Sequence, residues 1–341
     1  MTPTPESRIP VTIVTGFLGS GKTTLVNRIL REPHGRRIAV IENELGEADI
    51  DGEILLQERG ESIVETMNGC ICCTVRGDLV RMLGSLSEKR RAGALEFERV
   101  VIETTGVADP APVAQTFFLE DDVARDYRLD GIVTLVDAKH GARTLSAHRE
   151  AQRQVGFADR LLVSKTDLVS VEETRALVER LGRINARAPV KPVLRGSADI
   201  ADLLDVGGFE LDSARDVEGL HEHDHGPSPD EIGSFVHREA SPYDLDKLEL
   251  FVGLLVERHG ADLLRYKGVL NVEGREERII FQGVQTLLGS EPGKLWAEGE
   301  ARASTLVFIG RGLPRAAIGQ GLASCVAGSA LDPAAALRAA C

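Results

Sequence analysis

Ile9-Pro10-Val11-Thr12-Ile13-Val14-Thr15-Gly16-Phe17-Leu18-Gly19-Ser20-Gly21-Lys22-Thr23-Thr24 decides how the rest of the chain is read. A short β-branched run ends at a glycine, and an apolar series with helical spacing follows over residues 25–30. That is strand, turn and helix. The turn carries the order glycine, four residues, glycine, lysine, threonine. Its glycines let consecutive backbone N–H groups turn inward around a phosphate, and the helix N-terminus behind it favours negative charge. Gly16, Gly19, Ser20 and Gly21 then form the cradle, with Thr24 just behind it. Lys22 reaches the terminal phosphates as a point charge, and the Thr23 hydroxyl holds Mg²⁺. The competing reading is a glycine-rich turn that only joins strand to helix; the strand before it and the helix after it favour the phosphate loop.

Outward from that loop, buried-strand candidates recur at 37–41, 99–102, 131–136 and 160–163, separated by helical stretches such as 78–91 and 171–184. Strands alternating with helices imply a parallel sheet covered on both faces. At 341 residues the chain exceeds the size at which one core stops growing, so two domains are expected, the first the larger. The alternation runs out near residue 210. An acidic, proline-interrupted stretch at 211–230 reads as a linker. Beyond it, 231–330 shows a strand at 233–237, an amphipathic helix at 244–259, β-rich pieces at 264–272, 278–285 and 304–309, and a closing helix at 314–325, with a tail at 331–341. The expected fold is α/β over 1–210, with a mainly parallel sheet flanked by helices, plus a smaller C-terminal α+β domain.

Composition narrows the partners. With 43% hydrophobic and 27% charged residues the chain is ordinary globular material, and a net charge of -13 argues against nucleic acid or anionic membrane, which want a basic face. The N-terminus lacks the basic start and apolar stretch of a signal peptide, and no run is long enough to span a bilayer, so a cytoplasmic location is expected.

Two further segments belong with the phosphate loop. The apolar run Arg99-Val100-Val101-Ile102 ends in Glu103-Thr104-Thr105-Gly106. Glu103 is placed to face the Mg²⁺ shell, and the Gly106 N–H to sense a γ-phosphate, so this segment can act as a switch that relaxes on hydrolysis; alone it would read as a strand end and a turn. Leu161-Leu162-Val163-Ser164-Lys165-Thr166-Asp167 supplies base identity. Asp167 can accept from both guanine N1–H and N2–H₂, whereas adenine offers no such donor pair and would leave the carboxylate unsatisfied. Lys165 would lie along the base face. The nucleotide is therefore GTP, hydrolysed to GDP and phosphate.

Three of the five cysteines crowd into Cys70-Ile71-Cys72-Cys73. Exposed thiolates invite metals and oxidants, and a closed structural zinc site would need a fourth ligand from a second pair, which is missing. The readings are a metal site completed by other residues or left partly open, a buried cysteine cluster, and a redox pair. The carboxylates of residues 42–47 lie where a first switch segment is expected. His221, His223 and His225 are three of the eight histidines, and they make the linker either a weak metal-collection site or a solvated tract.

The segments 15–24, 41–51, 68–73, 103–112 and 164–167, extended by 137–140 and 184–187, together resemble the CobW and YjiA type of metal-associated P-loop GTPases, also called zinc-regulated GTPase metalloprotein activators. The likeness covers nearly the whole chain. It implies a GTPase that binds zinc or cobalt at the Cys-x-Cys-Cys motif and delivers it to a client apo-metalloprotein. Cys72, with Glu42 and Glu47, matches metal-associated positions of that family. Partners are then a client protein and, for some surface, a second copy of the chain as a homo-oligomer. The alternatives are a metal-sensing regulatory GTPase that times a complex without transferring metal, and a phosphotransferase, against which residues 164–167 speak.

Overall fold

The computed structural model describes residues 8–32, 34–42, 52–58, 61–67, 75–193, 199–207, 231–333 and 335, which divide into two compact units. The first is built on an eight-stranded sheet. In chain order its strands are β1 (Ile9–Gly16), β2 (Ile38–Glu42), β3 (Gly52–Glu58), β4 (Glu61–Met67), β5 (Arg99–Glu103), β6 (Tyr127–Asp137), β7 (Arg160–Ser164) and β8 (Val190–Pro192). Across the sheet they run β4-β3-β2-β5-β1-β6-β7-β8. The six strands from β2 to β8 in that order are parallel, and β3 and β4 extend the β2 edge as an antiparallel hairpin.

The helices are α1 (Lys22–Arg31), α2 (Val75–Arg91), α3 (Pro110–Leu119), α4 (Asp121–Asp126), α5 (Gly141–Ala147), α6 (Arg149–Phe157), α7 (Val171–Ile184) and α8 (Ile200–Leu204). Leu25, Val26, Ile29 and Leu30 of α1 pack on Val14, Val40, Val101, Val133, Leu135 and Leu162, with Leu203 and Leu204 of α8 in the same cluster. Side chains alternate along a strand, so Val11 and Ile13, both 0% exposed, show that the other face of β1 is covered too. Helices α3 and α6 lie against β1 and β6.

At the end of the sheet away from the phosphate loop, Arg99 opens β5 with its guanidinium on Asp130 (2.8 Å) and Asp205 (2.7 Å), and Arg36 reaches Asp205 at 2.5 Å. Arg99 and Asp130 are both buried, and the Val206 N–H donates to Asp130 as well. A buried pair of this kind resists removal of either partner more than it adds net stability. It pins the chain leaving α8 to the sheet.

The second unit is a five-stranded antiparallel sheet ordered β12-β11-β10-β13-β9, from β9 (Ile232–Glu239), β10 (Leu263–Leu270), β11 (Glu277–Val284), β12 (Leu287–Leu295) and β13 (Ser304–Arg311). Helices α9 (Leu245–His259) and α10 (Arg315–Ser324) cover it. Leu248, Phe251 and Leu255 of α9 and Ile318 and Leu322 of α10 meet Tyr266, Phe281, Leu306 and Phe308. Asp244 caps α9 by accepting the Lys247 N–H. Sequence periodicity finds four of these five strands and both helices. It passes over β12, an edge strand with Gly289, Pro292 and Gly293 that is mostly exposed. It passes over the β3–β4 hairpin for a related reason: Glu53, Glu58, Glu61 and Glu65 interrupt any apolar run.

Candidate functional site

Strands β1, β5, β6 and β7 lie side by side, and the segments that follow their carboxyl ends converge, where open α/β sheets bind ligands. Gly16 closes β1 at φ 143° and Gly21 precedes α1 at φ 101°, both in the half of backbone space that side chains avoid. At Gly16 a β-carbon would also stand 2.4 Å from the Leu135 carbonyl oxygen. The loop therefore turns as its spacing predicts.

Lys22, the first residue of α1, folds its ammonium back on the loop and donates to the carbonyls of Gly16 (2.8 Å) and Phe17 (3.3 Å). Burial lowers its pKa, and the negative charge of Glu103 partly offsets that. Next to it Thr23 Oγ1 donates to Glu103 Oε1 at 2.8 Å. Hydroxyl and carboxylate thus meet beside the loop, a pair of hard oxygen donors of the kind Mg²⁺ takes.

Beyond Glu103, the Thr104 N–H bonds to the Val14 carbonyl and its hydroxyl to Thr15, tying the segment to β1. Gly106 packs directly on the phosphate loop: a β-carbon there would stand 2.5 Å from a methyl group of Leu18 and 2.8 Å from its Cα.

The base-side segment is joined to the phosphate loop by a buried bond, Ser164 Oγ to the Ser20 carbonyl at 2.7 Å. Lys165 sits in the left-handed region at φ 58° and extends across the loop, donating to the Gly19 carbonyl (2.7 Å) and to Asp137 (2.8 Å). Burial alone would raise the Asp137 carboxyl, but the Lys165 hydrogen bond, the N–H groups of Lys139 and His140 and the lysine charge hold it below the ordinary carboxylate value. Asp167 lies in the single 3₁₀ turn Thr166–Leu168 and is exposed.

The sequence-derived nucleotide residues are therefore gathered in one place. Asp137 has no role in the motifs legible in the sequence, although it closes a buried strand as Glu103 does, and that shared position is the signal that points to it. Of the metal-side residues, Glu42 ends β2 and is the register partner of Glu103 on β5. Glu47, Cys70, Cys72, Cys73, His221, His223 and His225 lie outside the described residues. Among the described residues no group of three or more histidine, cysteine, aspartate or glutamate side chains is placed to hold a metal ion, and no helix is long and apolar enough to cross a membrane.

Residues 10–192 match the model of the CobW/HypB/UreG nucleotide-binding domain, and residues 232–326 match that of the cobalamin synthesis protein cobW C-terminal domain. The chain is 42% identical over 306 residues to the zinc chaperone YjiA of Escherichia coli, covering 90% of this chain and 95% of that protein. It is 34% identical over 357 residues to the zinc chaperone CobW of Pseudomonas aeruginosa, covering 94% and 92%. Among solved structures it resembles zinc-bound YjiA GTPase from E. coli, with a TM-score of 0.74 and 40% identity over 93% of this chain and 99% of that one.

A parallel sheet, a phosphate loop answered by Thr23–Glu103 on one side, and Ser164 to Asp167 on the other define a P-loop GTPase. Such an enzyme hydrolyses GTP to GDP and phosphate. Within that class the chain belongs to the CobW/HypB/UreG family and carries its CobW-type C-terminal domain.

Proposed function

We propose that this GTPase is a metallochaperone or metal insertase of the cytoplasm, with zinc as cargo and a client apo-metalloprotein as recipient. The observation that carries the reading is the register pairing of Glu42 with Glu103. It makes the strand that ends at a metal-side carboxylate the hydrogen-bonded neighbour of the strand that ends at the phosphate-side one. The likeness to zinc chaperones of two bacteria supports the same reading.

In this cycle Gly16, Gly19, Ser20, Gly21 and Thr24 surround the phosphates. Lys22 leaves the loop carbonyls for the β- and γ-phosphates, and Asp167 selects guanine with Lys165 along the base. Thr23 and Glu103 would hold Mg²⁺, which would neutralise charge building on the phosphate oxygens. Water attacks the γ-phosphorus, the bridging bond breaks toward GDP, and the proton of the attacking water passes to phosphate. Cys70, Cys72 and Cys73, with Glu42 and Glu47, take the cargo ion; thiolates suit zinc and also cobalt. His221, His223 and His225 collect metal weakly upstream of that site.

The test is a chelator competition for zinc run with GDP, with a non-hydrolysable GTP analogue and with no nucleotide. Zinc held more tightly with the analogue, and lost in a Cys70, Cys72, Cys73 triple alanine variant, is the expected result. Equal affinity in all three states rules out the cycle. Nucleotide-dependent affinity without transfer to any apo-client would make the protein a metal-sensing timer instead.

A further inference from the structure

Helix α6 holds the segment that follows β5 at three points. Gln154, 1% exposed, donates from one side-chain amide nitrogen to two carbonyls of that segment, Gly106 at 3.2 Å and Ala108 at 3.0 Å. Its neighbour Arg153 pairs with Asp109 at 2.6 Å. Asp109 in turn caps α3 by accepting the Ala111 N–H. The turn is closed internally by the Ala108 N–H on the Thr105 carbonyl at 3.2 Å. Carbonyls 105, 106 and 108 are thus all engaged: the plane that carries the Gly106 N–H is oriented by the Ala108 N–H within the turn, and the plane after it, with Ala108 itself, by Gln154.

The anchor is itself well seated. The Gln154 main-chain carbonyl accepts the buried Thr134 hydroxyl of β6 at 2.9 Å, and His148, just before α6, has its ring 4.6 Å from that of Phe17 in the phosphate loop. Helix α6 and the residue that precedes it therefore touch the phosphate loop and the loop after β5 at once.

We propose that Gln154, assisted by Arg153, is a positioning residue that holds residues 105–109 in the shape presenting the Gly106 N–H to a γ-phosphate. It thereby sets the preference for triphosphate over diphosphate. This rests on the proposed role of Gly106. A diphosphate has no oxygen for that N–H, so loosening the loop weakens GTP and leaves GDP unchanged. The amide of glutamine suits the task because its –NH₂ offers two donors, one for each carbonyl.

The measurement is the affinity of fluorescent GDP and of a fluorescent non-hydrolysable GTP analogue, with Mg²⁺, for the full chain and its variants. Gln154→Leu, which keeps the bulk and removes the donors, should lower the analogue-to-GDP affinity ratio ~5- to 30-fold, the worth of one or two hydrogen bonds. Gln154→Glu should lower it further, since a carboxylate faces two carbonyl oxygens. Arg153→Ala should give a smaller fall that Arg153→Lys partly restores; this pair, at a half-buried position, decides the matter if neither Gln154 variant folds. A wild-type ratio in folded Gln154→Leu, or in Arg153→Ala where that is the deciding variant, overturns the proposal. So does an equal loss of GDP and analogue, which marks a general structural role. Failure of the wild-type chain to prefer the analogue over GDP at all would instead remove the reading of Gly106 on which the proposal stands.

Discussion

Thr23 and Glu103, 80 residues apart in the chain, meet through a 2.8 Å hydrogen bond between hydroxyl and carboxylate. The first stands at the start of α1 and the second at the end of β5, so the bond joins the helix behind the phosphate loop to the strand beside it. Replacing Glu103 by Gln keeps the shape and removes the charge. Hydrogen bonds to charged groups are worth ~1.5–3 kcal/mol, so turnover should fall ~10- to 150-fold with GDP affinity little changed, and the Mg²⁺ needed for half-maximal rate should rise. An Mg²⁺ titration of phosphate release checks it; an unshifted midpoint would remove Glu103 from the metal shell.

Lys22 is pushed below its ordinary pKa by burial, with Glu103 opposing. A lysine lowered in this way loses its proton earlier than a surface lysine as pH rises. GTP binding should therefore weaken on the alkaline side at a pH below ~10.4, and Lys22→Ala should abolish the transition together with most of the affinity. Binding that stays flat to the ordinary lysine value would show that the ammonium does not reach the nucleotide.

The Asp137 carboxyl lies below its ordinary value in the folded protein. A carboxylate depressed on folding adds stability that is present above the unfolded pKa of ~3.9 and disappears as pH falls through the folded value. The stability gap between wild type and Asp137→Asn should then be widest near neutral pH and close under acid, as followed by urea unfolding. Lys165→Met should give a similar profile, because it removes the same ion pair.

Asp167 is exposed beside Lys165 and Ser164. Asp167→Asn should lower GTP affinity by ~10²-fold or more and confer binding of xanthosine triphosphate, whose purine edge carries a carbonyl where guanine carries an amino group. Competition against a fluorescent nucleotide measures both, and unchanged discrimination between GTP and ATP in the variant would place base recognition elsewhere.

What could be read from the sequence is what is local. The glycines, Lys22 and Thr23 are specified within nine residues, and α7 was legible to its last turn because its apolar spacing is regular. The reading of Asp167 as the base-side residue rests on its place directly after an apolar strand. Gln154 left no such trace. It bonds to Gly106, 48 residues away, and a buried glutamine in an amphipathic helix has no spacing that distinguishes it from any other polar residue. The antiparallel hairpin β3–β4 failed differently, since its pairing partner, rather than its own composition, makes it a strand.

The bond from Ser164 to Ser20 has a consequence in time. Its two ends are separated by 144 residues, so a phosphate loop that emerges early from the ribosome stays without its base-side support until β7 is made. At about 5–20 residues per second that delay is ~7–30 s. During synthesis the nascent chain carries a phosphate loop whose Ser20 carbonyl has not yet met its partner, and a shortened product ending before residue 160 would lack that support permanently.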